Sequence, residues 1–383
     1  MSIPIKLAYD TITNKDIDDL CSWLSTYPRL TKDKLTKQFE NKWSEWLGRK
    51  YSVFVNSGSS ANLLMLYALK LSGRLKNKKI VLPCLGWSTT ISPAIQFDFE
   101  ILLCDSDKNN LGIDINHLEK LLEQERPSCL MVANILGFPN SFDEIKILCS
   151  KYDVILLEDS CESVGSLYND TKTGCFGLMS TFSTYFGHHF STIEGGIIST
   201  DDLELYEILL SIRSHGWDRD LSDDTAQLLR NKHNIDSFDS LYTFYYPGFN
   251  VRPTEIQSFL GIEQLKTIDS RNKKRYEIFL QYDSMIVNNF WQIKSQNFIS
   301  NFAYPIIHPN RNDIVKNLIA NNIECRPLVC GSISKQPFYT KLYGQKQYPF
   351  GDLVHKYGMY LPNHPSLSEN DINRICNIVN DSL

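Results

Sequence analysis

The chain has 383 residues, 42 % hydrophobic, 22 % charged and 12 % aromatic, with a formal net charge of −5. That is enough for about two domains with sizeable cores, and the charge balance offers nothing for nucleic acid or an anionic membrane surface. No run reaches the ~18 apolar residues of a membrane span. The opening "MSIPIKLAYDTITNKDIDDL" lacks the basic, apolar, small-residue order of a signal peptide, so the expectation is a cytoplasmic protein.

In chain order, "NSGSSANLLMLYALK" (56–70) comes first, a Ser/Gly turn directly before an apolar-periodic helix. Free backbone N–H groups and the helix dipole suit such a start to a phosphate. Gly58 allows close approach and Ser59 adds a hydroxyl; the alternative is a Ser-capped helix without a ligand. Short apolar runs then alternate with amphipathic stretches: "KIVLPCL", "EILLCDSD", "CLMVANIL", "VILLEDS" and "GGIIST", with helix-like "DINHLEKLLEQE" and "SFDEIKILCSKY" between some of them. Continuous apolar runs suit strands buried on both faces, and the alternation predicts an α/β fold on a mostly parallel sheet. Such sheets bind ligands beyond the carboxyl ends of their strands.

Polar residues that end those runs are the first candidates for chemistry. Trp87, in "PCLGWSTT", is a stacking platform or a core residue. Asp159, ending "VILLED", is a helix cap, a metal ligand or the partner of a pyridinium nitrogen. Glu162 lies three residues on and shares that side only if the chain turns helically. After "PGFNVRPTEIQ" the pattern changes to a long helical stretch over 255–285, then strand-like "NFAYPII" and "ECRPLVC" around helical "DIVKNLIANN". This predicts a large α/β domain over 1–250 and a smaller α+β domain over 251–383. Ten cysteines, without a CxxC pair and mostly in apolar runs, read as buried reduced thiols.

The sharpest feature is "FSTYFGHHFSTIEGG" (182–196), which has the look of a Schiff-base attachment site but holds no lysine. None occurs from Thr173 to Arg230. His188 and His189 stand there instead, and on extended chain they would point to opposite sides. Zinc is a poor reading, because no third ligand lies at a recognisable spacing. Ser183 is another hydroxyl within reach of a phosphate.

Taken in order, "SGSSAN", "PCLGWSTT", "LLEDSCES", "GCFGLMSTFS", "EGGIIST", "IRSHGW", "PGFNVRPTEIQSFLGIEQL" and "IECRP" resemble the fold-type-I pyridoxal-phosphate enzymes of nucleotide-sugar biosynthesis, the DegT-type sugar aminotransferases. The likeness runs nearly the whole chain. Counting back from Gly196 puts His188 where the family carries its Schiff-base lysine, an exchange shared with a subgroup of sugar 3-dehydratases. An imidazole has no primary amine to condense with an aldehyde, but it exchanges a proton near neutral pH. The resemblance therefore implies a lyase that works with non-covalently held pyridoxal 5'-phosphate or pyridoxamine 5'-phosphate, takes its amine from L-glutamate and uses His188 as acid and base. The implied substrate is a GDP-linked 4-keto-6-deoxyhexose, which loses its C-3 hydroxyl with release of ammonia, in deoxysugar supply for lipopolysaccharide O-antigen.

By the same resemblance Gly58, Ser59 and Ser183 hold the cofactor phosphate, Trp87 stacks on the ring, Asp159 pairs with the pyridine nitrogen and Glu162 makes a further contact. Asn250 is expected to reach the phosphate from a neighbouring subunit of a homodimer, and Arg219 to meet the nucleotide diphosphate, a surface Arg being the alternative. Three alternatives stay open: a CDP-linked dehydratase, a sugar aminotransferase and an inactive sugar-nucleotide-binding relative. The CDP-linked group needs an iron–sulfur cluster, and only Cys325, Cys330 and Cys376 follow Cys175, too few for four thiolates. The segment "RLTKDKLTK" (29–37) is more basic than the resemblance leads one to expect.

Overall fold

The computed structural model describes residues 3–287 and 297–383. The chain forms strands β1 (Tyr51–Val55), β2 (Lys79–Pro83), β3 (Glu100–Cys104), β4 (Cys129–Ala133), β5 (Ile155–Asp159), β6 (Leu167–Tyr168), β7 (Thr171–Lys172), β8 (Met179–Ser183) and β9 (Gly196–Thr200). Seven of these make one sheet in the order β1-β9-β8-β5-β4-β2-β3, while β6 and β7 form a small separate hairpin. Within the seven, β9 alone runs against its neighbours. The continuous apolar runs lie inside the sheet: β4, β8 and β9 are buried at every position, whereas edge strand β3 exposes its first residue. Helices on both faces account for that two-sided burial.

Preceding and covering this sheet are α1 (Asn14–Leu24), α2 (Lys34–Leu47), α3 (Gly58–Leu71), α4 (Ser88–Gln96), α5 (Ile115–Glu125), α6 (Phe142–Tyr152), α7 (Leu203–Arg213) and α8 (Asp223–His233). The long helical stretch predicted over 255–285 is two helices, α9 (Glu255–Leu265) and α10 (Ile268–Met285), broken at Lys266–Thr267. Arg271 stabilises the break by donating to the Gln264 carbonyl and to Thr267 Oγ1, both at 2.6 Å. It satisfies a carbonyl that a continuous helix would have bonded itself.

The remaining chain builds a three-stranded antiparallel sheet, β10 (Tyr304–Ile307), β11 (Arg326–Pro327) and β12 (Gly358–Leu361), with β12 central. It is accompanied by α11 (Arg311–Ala320), α12 (Pro337–Tyr343), α13 (Pro349–Tyr357) and α14 (Glu369–Asn380). The first described residues join this end, since Ile5 bridges to Ile323 and the Leu7 amide donates to Glu324 at 3.1 Å. The basic 29–37 segment is engaged internally, with Lys32 on Asp220 and Lys37 on the Tyr206 hydroxyl.

Candidate active site

A cavity of about 520 Å³ opens at the carboxyl ends of β1, β2, β4, β5 and β8, the edge at which an open α/β sheet binds ligands. Gly58, Ser59, Trp87, Asp159, Glu162, Ser183 and His188 all line it, although they come from stretches up to 130 residues apart in sequence (188 − 58). Ser57 caps α3 by accepting from the Ser60 amide at 3.0 Å. The Gly58 and Ser59 amides are left at the helix start, where the dipole favours an anion. A Cβ on Gly58 would lie 2.7 Å from Ser183 Cβ, so glycine is what lets the helix start approach the end of β8. Gly196 does the same from β9, where a Cβ would meet the Ser57 carbonyl oxygen at 2.2 Å. Two hydroxyls and two main-chain amides thus converge, the donor set a phosphate requires.

Opposite that cradle, Trp87 precedes α4 with 56 % of its surface exposed, a free indole face at the cavity mouth. Asp159 is 7 % exposed at the end of β5. Its Oδ2 accepts from Asn62 Nδ2 at 2.8 Å and Thr90 Oγ1 at 2.7 Å, and its Oδ1 accepts from the Cys161 amide at 3.2 Å. Asn62 is itself fixed by Thr181, whose hydroxyl donates to Asn62 Oδ1 at 2.6 Å. A carboxylate held in this way presents fixed lone pairs to the cavity. The chain turns after β5, with the Ser163 amide on the Ser160 carbonyl, and brings Glu162 to the same cavity. Burial, reinforced by the Asp159 charge and opposed by the Leu136 amide at 2.9 Å, pushes the Glu162 carboxyl up to about 7.

His188 and His189 sit in a turn, not on extended chain: Gly187 has φ +90° and the His188 amide bonds back to Tyr185. Their rings nevertheless diverge. His189 is fully buried, with Nε2 2.8 Å from the Ser300 carbonyl oxygen. His188 faces the cavity against Phe302, with Nδ1 2.9 Å from the Cys161 carbonyl oxygen. A carbonyl only accepts, so Nδ1 carries the proton and Nε2 keeps its lone pair. Burial, with help from the Arg275 charge and against the Cys161 bond and Asp159, lowers the ring to about 4. His188 is therefore a neutral base across the physiological range. Among the described residues no lysine lines the cavity, so none of them places a primary amine to tether an aldehyde.

Residues 11–380 match the model of the DegT/DnrJ/EryC1/StrS aminotransferase family. The chain belongs to that family. GDP-4-keto-6-deoxy-D-mannose 3-dehydratase from Yersinia pseudotuberculosis is 36 % identical over 91 % of this chain and 91 % of its own. The solved structure of E. coli GDP-4-keto-6-deoxy-D-mannose-3-dehydratase with bound hydrated PLP superposes with a TM-score of 0.90 at 33 % identity, covering 99 % of this chain and all of that one. A GDP-4-keto-6-deoxymannose-3-dehydratase with a trapped PLP–glutamate geminal diamine gives 0.89 at 33 % identity over 98 % and 100 %. The fold is that of the fold-type-I pyridoxal-phosphate enzymes.

Two residues singled out from the family resemblance lie away from this cavity. Arg219 is exposed, stacks on Trp217 at 4.1 Å, donates to the Leu241 carbonyl and lines a second cavity of about 340 Å³ with Arg230 and Tyr242. Asn250 is also exposed, and its Oδ1 accepts from Arg252 at 3.0 Å. A β-bridge between Ser214 and Asn250 sets the two segments side by side. Sequence reasoning passed over Asn62, Thr90 and Thr181, which orient Asp159, and Phe302, which backs His188. Helical spacing carried a signal for two of them: Asn62 lies four residues after Gly58, and Thr90 three after Trp87. Among the described residues no group of three His, Cys, Asp or Glu side chains is placed to hold a metal ion, and no helix is long and apolar enough to cross a membrane.

Proposed function

We propose that the chain removes the C-3 hydroxyl from a nucleotide-linked 4-keto-6-deoxyhexose, GDP-4-keto-6-deoxy-D-mannose, and releases the 4-keto-3,6-dideoxy sugar and ammonia. The observation that carries this reading is His188, a neutral imidazole in a cavity lined by no lysine among the described residues, together with an oriented carboxylate and the donors at the start of α3. Bound there, pyridoxamine 5'-phosphate would supply an amine for the sugar ketone and a pyridine ring that takes up electrons.

Each residue then has a task. Gly58, Ser59 and Ser183 hold the phosphate, Trp87 covers the ring face, and Asp159 keeps the ring nitrogen protonated. Glu162, near neutrality, would offer the bound ring a shared proton. His188 Nε2 is the group that would take up a proton beside the cofactor amine and give it to the departing C-3 oxygen. With the ring held well below its ordinary range, the imidazolium so formed is a strong acid, which favours that delivery. A lysine at 188 would instead return the proton to C-4 and retain nitrogen on the sugar.

L-Glutamate regenerates the amine form, in line with the glutamate adduct trapped in a relative. Asn250 and Arg219, both exposed and outside this chain's own cavity, serve the cavity of a second copy, the first at the phosphate and the second at the nucleotide diphosphate. The working form is thus a homodimer. Ten unpaired cysteines suit a reducing cytoplasm.

Protein loaded with pyridoxal phosphate and glutamate, then given GDP-4-keto-6-deoxy-D-mannose, is expected to release one ammonia per sugar deoxygenated at C-3, read by mass spectrometry. An amino sugar without free ammonia would establish an aminotransferase. Turnover of the CDP-linked sugar alone would reassign the substrate, and failure to form the amine cofactor would establish an inactive relative.

A further inference from the structure

Arg275, on α10, is 1 % exposed and makes no ion pair among the described residues. Its guanidinium donates only to main-chain carbonyls: Asn301 at 3.5 Å, Phe302 at 3.0 Å, Asn363, and His188 at 3.1 Å. Nε has no partner. A buried cation without a counter-charge costs several kcal/mol, which makes its position informative. That position is directly behind the proton-transfer residue.

Two chains of contacts run from it to the cavity. One is the bond to the His188 peptide. The other passes from the Arg275 carbonyl to Asn363 Nδ2 at 3.0 Å, from Asn363 to Asn301 Oδ1 at 2.8 Å, and from Asn301 to the Leu136 carbonyl at 2.8 Å. The Leu136 amide then holds Glu162. The side chain therefore ties together the His188 turn and the segment before β10 that brings Phe302 against the His188 ring, while the Arg275 main-chain carbonyl anchors the relay to the peptide that holds Glu162.

We propose that Arg275 is a positioning residue that acts through His188: clamped on four main-chain carbonyls, it fixes the orientation of the ring and supplies the positive field against which the ring gains and loses its proton. The role rests on the dehydratase reading for its purpose, but not for its physics. Other charged or titratable groups surround the ring: Asp159 from β5, Cys161 and Glu162 from the turn after it, Tyr185 and His189 from the ring's own loop and Tyr360 from β12, while Arg271, one turn before Arg275, acts on Arg275 itself. Burial is the main reason the ring stays neutral; the Arg275 charge adds to it, and the Cys161 bond and Asp159 oppose it.

The test is the NMR titration of His188 in cofactor-free protein, assigned by comparison with His188→Asn. In the wild type the ring is expected to stay neutral down to about pH 5. Arg275→Gln, which keeps donors but removes the charge, is expected to raise the midpoint by about one unit and move the acid limb of kcat/KM with it. Arg275→Lys keeps the charge but cannot span four carbonyls. It is expected to hold the midpoint and lose at least about tenfold in kcat at unchanged KM. A wild-type ring that titrates at its ordinary value, or a midpoint unmoved in Arg275→Gln, overturns the proposal. Should the Gln variant not fold, the wild-type and Lys readings decide. The titration needs no substrate, so a protein that shifts as expected yet releases no ammonia would refute the dehydratase reading and leave Arg275 standing.

Discussion

Glu162→Gln isolates the energetic consequence of placing a carboxyl beside Asp159. The change keeps the shape of the side chain and an oxygen for the Leu136 amide, but removes the titration. In the folded protein the carboxyl is raised from 4.5 to about 7 by burial first and the Asp159 charge second. Because the folded value lies above the unfolded one, its contribution to stability is fully present below pH 4.5 and is lost as pH rises through 7. A shift of this size corresponds to about 3 kcal/mol, and screening by water in the cavity reduces it to about 2. The stability of Glu162→Gln minus that of the wild type is therefore expected to grow by about 2 kcal/mol between pH 5 and pH 8. His188, lowered to about 4, works with the opposite slope, destabilising the fold as pH falls from 6.5 toward 4. It is present in both proteins and cancels in the difference. Guanidinium unfolding of cofactor-free protein, followed by tryptophan fluorescence, measures the quantity. A difference that stays constant from pH 5 to pH 8 would refute the assignment of a near-neutral carboxyl at this position.

Other substitutions probe the scaffold of the site. Gly58→Ala places a methyl 2.7 Å from Ser183 Cβ, and should weaken pyridoxamine phosphate binding at least about tenfold in a fluorescence titration while circular dichroism is unchanged. Thr90→Val removes a 2.7 Å bond to the Asp159 carboxylate, worth about 1.5–3 kcal/mol, and cofactor affinity measured by calorimetry is expected to fall by about tenfold or more. Glu255→Ala acts far from the cavity. That carboxylate, 3 % exposed on α9, accepts from the Asp33, Leu35 and Thr36 amides and the Thr36 hydroxyl, and so caps α2. Its loss should cost about 3 kcal/mol in chemical unfolding, with cofactor affinity intact.

The parallel sheet and most of its cavity were legible because two-sided burial writes itself as unbroken apolar runs, and because ligands gather at one end of such strands. Gly58, Trp87 and Asp159 could each be read from a turn or a strand end, whereas His188 was placed by the family resemblance. β8 was harder, since three of the five residues of "MSTFS" carry hydroxyls. It is buried in part because Thr181 spends its hydroxyl on Asn62, a pairing between distant segments that no local pattern records. The break between α9 and α10 was hidden for a similar reason, since a distant-looking Arg271 folds back to bond the freed carbonyl. The extended conformation expected at the His pair gave way to a turn that Gly187 permits. Arg275 carried no sequence signal, because a buried arginine looks like a surface one until the carbonyls around it are known.

Whether imidazole shuttles protons where relatives would tether their cofactor can be read on the intact chain. Protein loaded with pyridoxal phosphate is reduced with borohydride, denatured, and weighed by mass spectrometry. The chain mass should remain that of the unmodified polypeptide, with all of the reduced cofactor in the small-molecule fraction. A covalent adduct on any lysine of the folded, loaded protein would contradict the role assigned to His188.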